Sequence, residues 1–133
     1  MNLTDPTAAF AYATLEAFGA YPGLRSELGW SPRWLCEANY IDAQAMVRAD
    51  AFRRHGGYLI DDRWDYGWED WDLWLRMAAA GEHGVHVREM LGRYRTQVQS
   101  MISVTTLASD LLRRETIDRY PSLPWPERRR SGG

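Results

Sequence analysis

The sequence has no lysine, one cysteine and no long apolar run. A lone thiol, Cys36, excludes an internal disulfide and fits a reducing compartment. No stretch approaches the roughly 20 apolar residues that a membrane-spanning helix needs. No basic start followed by an apolar segment marks a signal peptide. The formal net charge of −2 gives no general attraction to nucleic acid or anionic lipid. The absence of lysine leaves arginine as the only long cation, a pattern that reflects codon usage more than function. No internal repeat is visible. What remains is 133 residues, 45% hydrophobic and 26% charged, the balance of one folded domain.

Tryptophan is what the chain has in excess, with seven in all. Trp64, Trp68, Trp71 and Trp74 fall close together, among the acids Asp61, Asp62, Asp65, Glu69, Asp70 and Asp72. Any function the sequence displays is concentrated there.

Local patterns suggest the organisation. Residues 4–19 read as a helix, capped by Thr4 or Asp5 and closed by Gly19, and residues 20–34 as a loop. Ile41, Ala43, Ala45 and Val47 alternate as in a half-buried strand. Ala49 to His55 makes a short helix stopped by Gly56-Gly57. Trp71, Trp74, Leu75 and Ala78 recur at helical spacing, which predicts a helix from Glu69 to Ala80, ended by Gly81. Val85 to Val87 and Leu91 to Arg95 read as two short strands. Val104 to Arg119 reads as a second long helix, supported by Asp110 with Arg114 and Glu115 with Arg119. Pro121, Pro124 and Pro126, then Arg128 to Arg130, read as a disordered tail.

The helix at 69–80 poses the functional question. Acids in a first turn serve the helix dipole in any protein, and tryptophans at this spacing serve a core. A helical wheel adds detail: Glu69 points to solvent, while Asp70 and Asp72 flank the apolar stripe. A carboxylate at Asp70 is partly desolvated, yet the helix end favours its charge, so it can still act as a base. Trp68 offers an apolar plate of the kind that stacks on sugar C–H faces.

The run Gly67-Trp68-Glu69-Asp70-Trp71-Asp72-Leu73-Trp74-Leu75-Arg76 resembles the ED-motif region of family 2 glycosyltransferases. Asn39 to Asp42, Val47 to Phe52 and Gly56-Gly57-Tyr58 resemble the segment before it. Gly84 to Glu89, Arg93-Tyr94-Arg95 and Ser100-Met101 resemble the segment after it. The resemblance covers roughly residues 36–105 and implies an α/β chain with a partial GT-A-like fold of short mixed strands covered by helices. Residues 36–120 would form the acceptor-side domain, between an N-terminal helix and loop (1–35) and the tail (121–133).

By resemblance, Asp70 is the general base for sugar transfer from a nucleotide-sugar to an acceptor hydroxyl. Glu69 would support the acceptor site or orient the loop, and Gly67 and Trp68 would form the acceptor platform. Arg93 and Arg95, on one strand face, are candidates to meet a donor diphosphate or to pair with the acids of residues 61–72. A complete enzyme of this type uses a divalent metal, Mn or Mg. This chain offers no metal site of its own: Asp70-Trp71-Asp72 lies inside the ED match, and Gln97 stands where the family often has a metal-holding histidine. Residues 1–35 are too short for the nucleotide-binding half. The nucleotide-binding half would come from another polypeptide, or was lost by truncation, and an open sheet edge could meet a partner polypeptide or a second copy of the chain. The alternatives are a non-catalytic carbohydrate-binding module and an inactive remnant. The expected location is cytoplasmic, with the inner membrane face as a second possibility.

Other candidates read as structural. His55, His83 and His86 lack metal-site spacing, with His86 on the surface and His55 at a helix end. Cys36 reads as a buried thiol. Gly56-Gly57 is a turn and not a phosphate loop.

Overall fold

The computed structural model describes residues 6–20, 22–41, 44–58, 68–96 and 102–131, which form a mixed α/β chain. Its central strand is β1, Phe10–Gly19. β4, Gly84–Thr96, runs parallel along the whole of β1. β2, Gly23–Arg25, and β3, Met46–Val47, are both antiparallel to β1 and share its other edge. Among the described residues nothing pairs with the outer edge of β4.

The N-terminal helix is therefore corrected to a strand. Phe10, Tyr12, Thr14, Glu16 and Phe18 alternate with Ala11, Ala13, Leu15 and Ala17, a period of two that coexists with the helical spacing. Neighbours on both edges satisfy the backbone of β1, and that pairing outweighs the helix preference of its alanines. The segment read as a loop at 20–34 supplies β2 and the first turn of α1, Pro32–Glu37. Ser31 caps α1 by accepting from the Trp34 N–H at 3.2 Å.

The strand expected at 41–47 shrinks to Met46–Val47, while Ile41 is buried in a bend; residues 42 and 43 lie outside the described residues. The helix α2, Ala49–Arg54, ends at Gly56-Gly57 as the sequence predicts. α3, Trp68–Ala79, matches the expected helix, and Gly81 closes it at φ +82°. Its buried surface is wider than the expected stripe: Trp71, Asp72, Leu73, Trp74, Leu75 and Met77 are all buried. Such a helix lies inside the core and not on its surface.

The two short strands after α3 are one strand with an irregular middle. Val87 pairs with Ala13, Met90 with Thr14 and Gly92 with Leu15, so β4 carries extra residues there. At its start, Gly84 meets Phe10; a Cβ on Gly84 would lie 2.4 Å from Phe10 Cζ. Phe10 in turn stacks on Trp74 at 4.3 Å and meets Trp30 edge-on at 5.5 Å.

α4, Ile102–Arg119, is the second long helix. The following segment is not a disordered tail: Leu123 and Trp125 are buried, and Pro126–Ser131 forms α5. Trp125 stands edge-on to Trp71 at 6.1 Å and donates its Nε1–H to the Tyr120 carbonyl at 2.7 Å. The three prolines shape a turn that returns an aromatic ring to the core. Among the described residues no helix is long and apolar enough to cross a membrane.

Candidate functional site

Asp70 is the third residue of α3, where the helix begins beside a cleft of about 320 Å³. Leu24, Ser26 and Leu28 form one wall, and Asn39, Tyr40 and Ile41 the other. The Trp71 N–H donates to Asp70 Oδ1 at 2.8 Å, and the Asn39 amide donates to the same oxygen at 3.3 Å. Both bonds arrive at Oδ1, and Asp70 lines the cleft. Burial pushes the Asp70 carboxyl up to about 6; the two N–H donors oppose the rise, and the Glu69 charge adds to it. The expected contest between burial and helix end is thus settled for burial.

Glu69 does not point freely into solvent, which corrects the wheel. It is half-buried, and its Oε2 is enclosed with no hydrogen-bond partner among the described residues. Trp68 begins α3, but its side chain and all of Gly67 lie outside the described residues. Tyr58 was not anticipated: burial raises its phenol, and the charges of Asp70 and Glu69 raise it further, which places it in their field. The only sequence signal for Asn39 and Tyr58 is their position in the segment that resembles the family.

Arg93 and Arg95 lie elsewhere. Their guanidinium carbons sit 4.4 and 5.5 Å from the Phe18 ring centre, and Arg93 Nε is 3.9 Å from Glu16. They therefore share a face, as expected, but they do not line the Asp70 cleft. Arg25 is the cation that lines it, from the short β2.

Asp72 has a different occupation. It is fully buried and accepts from Arg76 at 2.5 Å, Arg119 at 3.0 Å and the Tyr120 hydroxyl at 2.9 Å. Arg76 also donates to the carbonyls of His55 and Gly57, at 2.7 Å for the latter, and so fastens the Gly56-Gly57 turn to α3. Asp72 is thus committed to cations of the chain itself. Among the described residues no three His, Cys, Asp or Glu side chains converge as metal ligands. Gln97 lies outside the described residues.

The remaining candidates are accounted for. Cys36 is buried. His55 sits at the end of α2 and pairs with Glu82. His86 is half-buried and not a plain surface residue: it stacks on Tyr12 at 5.0 Å and bonds Thr14 Oγ1 at 3.1 Å.

No protein-family model, curated protein or solved structure matches this chain.

Proposed function

We propose that this chain is the acceptor side of a GT-A-type glycosyltransferase, with Asp70 as the general base. The observation that carries this reading is the state of Asp70: a desolvated carboxylate, held at Oδ1 by two N–H donors, on a residue that lines a cleft. A base near pH 6 is mostly ionised at neutral pH and more basic than an exposed aspartate. In the proposed step, Asp70 takes the proton of the acceptor hydroxyl as that oxygen attacks the anomeric carbon. The bond from that carbon to the nucleotide diphosphate breaks, and the diphosphate leaves with the electron pair. Asn39 holds the base in place, and Glu69 keeps negative charge near it. The donor half, with the divalent metal it would hold, lies outside these 133 residues. The acceptor is a sugar hydroxyl, which suits a cleft that mixes polar groups such as Ser26 and Asn39 with the apolar Leu24, Leu28 and Ile41.

A second reading follows from Arg93 and Arg95. Their place over Phe18, away from the cleft, favours a carbohydrate-binding module that holds a glycan without transferring to it.

The test is transfer of radiolabelled sugar from a nucleotide-sugar panel with Mn²⁺ to a glycan panel, with and without the polypeptide of the neighbouring reading frame. Asp70→Asn should lower turnover by roughly 10²–10⁴. Equal turnover in the variant contradicts the base role. Glycan retention with no transfer under any condition selects the module reading.

A further inference from the structure

We propose that the glycan accepted here is at least a disaccharide, and that a second cleft beyond Glu27 holds the sugar next to the reacting one. This rests on the reading of the Asp70 cleft as an acceptor site. The second cleft encloses about 530 Å³ and is lined by Thr14, Glu27, His86, Arg88, Glu89 and Met90, with Gly29 at its base. Glu27 lines both clefts, so they are neighbours that meet at this residue.

The ridge between the clefts is a built wall. The Tyr12 hydroxyl donates to the Leu28 carbonyl at 2.7 Å, and the Tyr40 hydroxyl donates to the Gly29 carbonyl at 2.8 Å. The Ser31 N–H donates back to the Tyr40 hydroxyl at 3.0 Å. Ser26, at the start of this segment, is buried at φ +56°. A segment held from the sheet on one side and from Tyr40 on the other can present two faces to one extended ligand.

The opposite wall is made by the irregular part of β4. In a regular strand, consecutive side chains point to opposite faces. Arg88, Glu89 and Met90 are consecutive, yet all three line this cleft. The register shift makes this possible, because Val87 pairs with Ala13 and Met90 with Thr14, which leaves Arg88 and Glu89 without partners on β1. Bulges of this kind re-aim side chains and recur beside functional sites.

The chemistry of the lining selects the ligand. Two carboxylates, Glu27 and Glu89, and one guanidinium, Arg88, line it. Burial and the nearby Arg88 charge hold the His86 imidazole below its usual range, against a hydrogen bond to the Ser26 backbone that raises it. A net negative cleft disfavours phosphate or a nucleotide diphosphate. It suits a neutral, hydroxyl-rich ligand, which donates to Glu27 and Glu89 and accepts from Arg88. Exposed Met90 gives an apolar contact for a sugar C–H face.

The experiment is retention of the purified chain on an array of mono- to tetrasaccharides of common hexoses and amino sugars, with Arg88→Ala and Glu89→Ala beside the unaltered chain. Both residues are exposed, and circular dichroism is to be run on each variant to check that it folds. The expected result is about a tenfold gain from mono- to disaccharide, lost in both variants. Equal retention of both lengths, or variants that weaken both lengths alike, overturns the second subsite while leaving the acceptor reading in place. No retention of any glycan by the folded chain overturns both.

Discussion

Asp70 and Asp72 stand two residues apart on one helix, and both are buried, yet their surroundings differ in kind. Asp72 meets two guanidinium groups and a phenol, so its charge is paired and its hydrogen bonds are satisfied. Asp70 meets two neutral N–H donors and a cleft. A buried charge is tolerated when it is paired and costs stability when it is not. The first arrangement ties α3 to α4 and to the turn after α2. The second holds a carboxylate at the edge of ionisation, which does nothing for the fold. Groups in that condition collect at functional sites. The contrast separates the acid that ties the helices together from the acid proposed to act as a base.

The largest expected effect tests the structural acid. Asp72→Asn removes the charge that Arg76 and Arg119 face and should cost about 3–5 kcal/mol, read as a lower urea midpoint. A variant as stable as the parent would show that the network is decorative.

Asp70→Asn should act in the opposite direction. The folded-state carboxyl titrates near 6, above its unfolded value near 4. The folded chain therefore holds this proton more tightly, and stability is lost as pH rises from about 4 through 6. Asparagine does not titrate there, so the variant escapes the loss. Relative to the parent it should gain ~1–3 kcal/mol between pH 4 and pH 8. Parallel stability profiles for the two proteins would remove the buried charge from the account.

Asn39→Ala is smaller and sharper. It removes a donor to the charged form of Asp70, so the pH midpoint of transfer should move upward, with ~0.5–1.5 kcal/mol of stability lost. An unmoved midpoint would show that Asn39 does not tune the base. The smallest effect belongs to the exposed Arg93 and Glu16 pair, where Arg93→Ala should change stability by ~0–1 kcal/mol. A larger loss of transfer than of stability would return Arg93 to the donor site.

Much of this contrast can be read from the chain. The helix carrying both acids is announced by Trp71, Trp74, Leu75 and the stop at Gly81, because an amphipathic period and a glycine cap are local signals. The base candidate follows from its place in the first turn. Other features depend on partners distant in sequence. β1 carries both a helical and an alternating pattern, and only its pairing with β4 decides between them. The gap between the two expected strands at 85–87 and 91–95 is the bulge itself, which has no signature of its own. Trp125 lies among prolines and arginines that suggest disorder, and its burial depends on Trp71. Glu69 was placed by a helical wheel that assumes solvent on the far side, whereas the half-buried side chain shows that side partly covered.

The most direct test is a carboxyl titration of the ¹³C-labelled chain by NMR, with the Asp70 resonance assigned by comparison with Asp70→Asn. The account predicts a midpoint near 6. A midpoint near 4, the value of an exposed aspartate, would mean that Asp70 is solvated, and the base reading would fail with it.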